Sequence, residues 1–147
     1  MATAHTDRAY GPAQLFCVVV GSVLVLAGII GFFYNATFTS DTSVRDDVFG
    51  IVSVNGWHNV VHIATGALTL AFARTAMSAR NWCLAFGVVY LIVAIWGFVL
   101  GGDNPSILSI VPVNTADDVL HLLLGLGGLG IYAATGAERR RAHPAPA

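Results

Sequence analysis

From Ala13 to Tyr34 the chain carries no charged side chain. A helix rises about 1.5 Å per residue, so a run of this length covers the roughly 30 Å hydrocarbon core of a bilayer. The run also exceeds the roughly 7–15 apolar residues of a signal-peptide core, and no convincing small-x-small cleavage site follows it. It therefore reads as a retained membrane span. Composition agrees, since 56% of the 147 residues are hydrophobic and 10% are charged, outside the usual range for a soluble domain. A single lipid-embedded domain is expected.

A second constraint comes from a segment that occurs twice. Ile51-Val-Ser-Val-Asn55-Gly-Trp-His58-Asn59-Val-Val-His62-Ile-Ala-Thr-Gly66 is echoed by Ile110-Val-Pro-Val-Asn114-Thr-Ala-Asp117-Asp118-Val-Leu-His121-Leu-Leu-Leu-Gly125. Asn114, His121 and Gly125 each follow Asn55, His62 and Gly66 by the same 59 residues. Constant register of this kind marks an internal repeat.

Reading along the chain gives a cytoplasmic tail at 1–12 and a membrane domain at 13–135, followed by a disordered cytoplasmic tail at 136–147. Spans are expected at about 13–34, 55–76, 82–100 and 114–135. Asn55 and Asn114 serve as helix N-caps, Thr75–Ala79 forms a tight turn, and Gly101-Gly102-Asp103-Asn104-Pro105 stops the third span. The apolar tails Val48–Val54 and Ile110–Val113 are too short to cross and read as extended segments at the membrane interface. The fold class is all-α, a four-transmembrane-helix bundle made of two tandem, parallel helical-hairpin repeats.

Orientation follows from the arginines. Arg8, Arg74, Arg80, Arg139, Arg140 and Arg141 fall on one side of this topology and Arg45 on the other. Positive charge is retained in the cytoplasm, so both termini are placed there, in a bacterial inner membrane, with the repeated motif at the outer ends of spans two and four. Seven arginines, no lysine and a formal charge of −1 give no nucleic-acid signature. The bilayer is the expected partner, with a second copy or another membrane protein left open for the glycine-rich face of span four. Cys17 and Cys83 lie on separate apolar runs without C-x-x-C spacing and read as small buried residues.

On a helix turning about 100° per residue, Asn55, Asn59, His62 and Gly66 fall within about 60° of one another. Asn114, Asp118, His121 and Gly125 do the same, and His58 and Asp117 sit beside the two stripes. Polar groups in lipid must face the bundle interior, so the stripes are expected to face each other. His62 would then meet His121, with Asn59 and Asp118 above, while Gly66, Gly125 and Gly128 would let backbones approach below.

Three readings compete for this cluster. In the structural one, Asn55 and Asn114 cap their helices, Asp117 completes a capping box and the histidines bond to loop carbonyls, giving a structural or interaction protein of the cell envelope with no cofactor. In the second, His58 and His62, four residues apart on one helix face, bind a transition metal with Asp118 and His121, or His62 and His121 ligate a haem. In the third, the histidines and an aspartate relay protons or ions, although nothing polar continues below Gly66 and Gly125 except Thr65 and Thr69. An enzyme is the less favoured description. No Ser or Cys nucleophile lies near the histidines, no span contains glutamate, and there is no phosphate-binding glycine loop.

The paired motifs, with their doubled Asn-x-x-x-x-x-x-His spacing, resemble those of an actinobacterial four-span membrane protein family of unknown function, the domain of unknown function 4383 family. The resemblance covers about Ala13 to Thr135. Asp118 departs from the family pattern, in which the second copy usually reads Asp-Asn-x-x-His. What the resemblance implies is a four-span architecture, and it brings no activity with it.

Overall fold

Pro12 stands at the first position of the first helix, where a missing N–H costs nothing. Starting from it, the computed structural model, which describes residues 10–101 and 105–142, runs α1 (Pro12–Gly31), β1 (Asp46–Val48), β2 (Val52–Val54), α2 (Gly56–Phe72), α3 (Ala76–Leu100), β3 (Ser106–Ile107), β4 (Val111–Pro112) and α4 (Thr115–Ala142). The chain is mostly helical. α1, α3 and α4 are each long and apolar enough to cross a membrane; α2, at 17 residues, falls short of that length.

Many small residues face inward and many large apolar ones outward, although Leu24, Phe86 and Tyr90 form a buried cluster between the helices. Val19, Val23 and Leu26 on α1, Ile92 and Ile95 on α3 and Leu123 and Leu126 on α4 are exposed, whereas Ala13, Cys17, Ala79, Cys83 and Ala94 are buried. Lipid tails are as apolar as leucine, so helices in a bilayer associate by close backbone packing and hydrogen bonds rather than by hiding large side chains. This exterior fits a lipid environment.

The helices pack as two antiparallel pairs, α1 with α2 and α3 with α4, and α1 and α3 also touch each other. A Cβ on Gly66 would lie 2.7 Å from the backbone O of Gly21 and N of Val25 in α1. One on Gly128 would lie 2.9 Å from the carbonyl of Cys83 in α3, and one on Gly125 would lie 2.9 Å from Leu91 of the same helix. The expectation that these glycines bring α2 towards α4 is therefore corrected, because each seats its helix on the preceding one in the chain. Where α1 meets α3, the Cys17 Sγ lies 3.9 Å from the carbonyl of Ala79 and the Cys83 Sγ 4.0 Å from that of Ala13.

The all-α expectation is corrected by two hairpins. β1 pairs with β2 and β3 with β4, both antiparallel, with Val48 opposite Val52 and Ile107 opposite Val111. Phe49 and Gly50 turn the first with positive φ, and Leu108 and Ser109 turn the second in the same way. A two-stranded hairpin is marginal alone, so these depend on bonds to the helix ends beneath them.

Element ends also shift. α3 begins at Ala76, so the hairpin connection is shorter than Thr75–Ala79, with Thr75 capping the helix through the Ser78 N–H at 3.1 Å. α4 continues beyond Thr135 to Ala142, correcting the disordered tail over residues 136–142, because Ala, Glu and Arg are strong helix formers. Residues 1–9, 102–104 and 143–147 lie outside the described residues, and with them most of the N-terminal tail and part of the Gly101–Pro105 stop. Trp82 of α3 stacks on Phe72 at 4.5 Å between ring centroids and donates to the Thr69 hydroxyl at 3.0 Å.

Candidate functional site

The site is built where the hairpins meet the N-termini of α2 and α4. Helix starts leave N–H groups without intrahelical partners, and in both helices an asparagine supplies one. Asn55 Oδ1 accepts the His58 N–H at 2.9 Å, and Asn114 Oδ1 accepts the Asp117 N–H at 3.0 Å. With their oxygens committed, the two amide nitrogens reach across the molecule. Asn55 Nδ2 donates to the carbonyl of Ile110 and Asn114 Nδ2 to that of Ile51, each at 2.8 Å.

Asp117 adds a third crossing. Its Oδ2 accepts the Asn114 N–H at 3.0 Å, closing the cap, and the Ser53 N–H of β2 at 2.9 Å. Ser53 in turn donates its hydroxyl to Asp47 at 2.7 Å and lies 3.2 Å from Asn114 Nδ2. Asn55 and Asp117 are 1% and 3% exposed, so these bonds form out of water, where leaving a group unpaired is costly.

The eight polar residues singled out in the sequence thus divide three ways. Asn55, Asn114 and Asp117 join the two hairpins. Asn59 and Asp118 do not stand together above the histidines. Asn59 turns to α1, where its side chain lies against Gly31 and its Nδ2 donates to the Asn35 carbonyl at 2.8 Å, and Asp118 turns to α3 and lies against Gly97. His58, His62 and His121 form the third group, with all of their nearest ring nitrogens within 4.8 Å of one another.

Within that group, the Nε2 atoms of His58 and His62 are 3.1 Å apart and the rings are perpendicular, at 81°. The His121 ring lies 6.3 Å from that of His58 and 6.4 Å from that of His62. Tyr90 of α3 packs edge-on against His121 at 5.4 Å. The cluster opens into a cavity of about 200 Å³ between α2 and α3 under the β3–β4 hairpin, with walls that include Val61, Val89, Val93, Ile107 and Val113. Neutral histidines pairing through one shared proton, or converging on a cation, are the two chemical uses of such a group.

Ser53, Tyr90 and Asn35 were not singled out from the sequence. Only Ser53 carried a usable signal, since it answers to Pro112 in the repeat, a pair that differs in having an N–H.

Four helices with an apolar exterior and a polar cluster at one end define a helical membrane-type protein. A family model described as Domain of unknown function (DUF4383) matches residues 14–134, and the chain belongs to that family. No curated protein and no solved structure matches it.

Proposed function

We propose that this is a four-span integral membrane protein made of two tandem repeats, acting as a structural or interaction component of the bacterial cell envelope rather than as an enzyme. Its polar cluster clamps the repeats together near the outer face, and both termini lie in the cytoplasm. The reciprocal pair Asn55 to Ile110 and Asn114 to Ile51 carries this reading, since each amide of one copy takes the equivalent carbonyl of the other. A pseudo-twofold axis along the membrane normal accounts for that exchange and for the matching Cys17 and Cys83 contacts at the opposite end.

Further support comes from spacing. Cys17 and Cys83, Gly21 and Gly87, and Gly31 and Gly97 are each 66 residues apart, so the first helices of the two copies correspond as the second helices do at 59. A 17-residue helix rises only about 26 Å, and the hairpin above α2 supplies the remaining depth, which makes α2 the fourth span.

Cysteines placed at Ser40 and at Ala76 should be labelled by a membrane-impermeant reagent from opposite sides of the membrane. Labelling of both from one side would sink the four-span topology. Asn55→Ala should lower stability in detergent by about 1–3 kcal/mol, the cost of stranding the buried His58 N–H, and Asn114→Ala, whose bond to Ile51 is exposed, by about 0.5–2 kcal/mol through the lost helix cap. Unfolding midpoints equal to wild type in both variants would rule out the clamp.

A further inference from the structure

We infer that His58, His62 and His121 bind one transition-metal ion of the kind that favours imidazole, zinc or copper, through three ring nitrogens. The inference rests on the clamp, which fixes α2 against the hairpin and start of α4. Among the described residues these three form the cluster of metal-type ligands, and they come from two separate helices.

Distances fit the chemistry. Imidazole nitrogens bind zinc at about 2.0–2.1 Å, and tetrahedral geometry then separates neighbouring nitrogens by about 3.3 Å. The His58 and His62 Nε2 atoms already stand at 3.1 Å. The remaining separations, no longer than 4.8 Å, would have to close by at most about 1.5 Å, within reach of a ring rotation. All three donors are imidazoles, which selects zinc and copper over the oxygen-preferring magnesium and calcium.

The repeat itself explains why there is one such site and not two. His58 occupies the third position of α2, and Asp117 the same position of α4. Asp117 is consumed by the Ser53 N–H. The residue answering to Ser53 is Pro112, which has no N–H to offer, so a carboxylate at position 58 would have no matching donor. The backbones of Ser53 and Pro112, one from each hairpin, border the His58 ring instead, and its buried Nδ1 has no hydrogen-bond partner among the described residues. A second groove of about 330 Å³ lies under β1–β2, lined by Val23, Ala27, Val48 and Val52, and His62 is its single imidazole.

Haem fits poorly. His58 stands 4.4 Å from His62, in the space a porphyrin would need, and the adjoining cavity of about 200 Å³ is too small for the macrocycle. That cavity does leave room beside the histidines for a water or a small exogenous ligand at an open fourth position, the arrangement of reactive rather than purely structural zinc sites. Asp118, lying against Gly97 in the α3–α4 pair, is outside the coordinating group.

The test uses the full chain purified in mild detergent, stripped with chelator, and titrated separately with Zn2+, Cu2+ and Mg2+, with bound metal counted after desalting. One Zn2+ or Cu2+ per chain is expected, with no retained Mg2+. His62→Gln and His121→Gln should each weaken binding by at least about a hundredfold, the upper end of what loss of a group outside the coordination sphere costs. Replacing His5 and His143 together should change nothing. In case the single variants fold badly, the spectrum of the Cu2+-loaded wild-type protein gives an independent readout, expected to show three nitrogen ligands. Failure of the stripped wild-type protein to retain one ion, or retention that disappears with His5 and His143, would overturn the site. The clamp is judged separately by the metal-free stabilities of Asn55→Ala and Asn114→Ala, so either idea can fail alone.

Discussion

Gly66→Ala is expected to destabilise the protein by about 1–3 kcal/mol or more, whereas Gly130→Ala is expected to leave it unchanged or raise its stability by up to about 1 kcal/mol. Both glycines lie in helices, and alanine is the better helix former, so propensity alone predicts a gain at both. Contact reverses the sign at one of them. The new methyl at 66 would lie 2.7 Å from two backbone atoms of α1, which cannot move without opening the α1–α2 pair, while nothing stands within 4 Å of a methyl at 130. Gly125→Ala, with 2.9 Å contacts on Leu91, should fall between them. Thermal unfolding in detergent checks the order; equal midpoints for the three variants would mean that the helices do not approach as closely as these distances require.

The same glycines show where sequence reasoning reaches and where it stops. A helical wheel places Asn55, Asn59, His62 and Gly66 on one face, and that follows from the helical period alone. Which neighbour the face meets does not follow. In the structure one narrow stripe serves two neighbours: Asn59 and Gly66 touch α1, while Asn55 bonds to the second hairpin and His62 turns to His121. Asp118 and Gly125 likewise serve α3, and the histidine rings, reaching furthest, bridge to the other pair.

Register was legible in one half of each proposed repeat and hidden in the other. Asn, His and Gly at fixed offsets of 59 stand out because polar residues are rare in an apolar chain. The matching pairs in α1 and α3 are cysteines and glycines among many small residues, and their offset is 66. Seven extra residues between α1 and α2, relative to α3 and α4, break the register that a search at 59 would follow. The hairpins escaped for a different reason. Their strands span two or three residues, and the turns use Phe49-Gly50 and Leu108-Ser109 rather than the Asn-Gly or Asp-Gly pairs that announce a two-residue hairpin turn.

Asp117→Ala is expected to cost about 2–6 kcal/mol, and Asp117→Asn much less. One carboxylate oxygen, Oδ2, accepts both the Ser53 and the Asn114 N–H groups, and the alanine variant strands the two together in a site where water is excluded, at about 1–3 kcal/mol each. Asparagine keeps an oxygen at the same place and can accept both. The comparison therefore separates acceptor from charge: similar losses in the two variants would show that the ionised carboxylate, drawn to the positive end of α4, holds the hairpin. A loss in alanine alone would show that hydrogen bonding does. The second outcome is the one the geometry favours, because the bonds converge on a single oxygen and the hairpin offers N–H groups rather than a cationic side chain. It also fits the other repeat, where Pro112 withdraws the equivalent donor, and the residue facing it is an imidazole, which joins two others instead of clamping a strand.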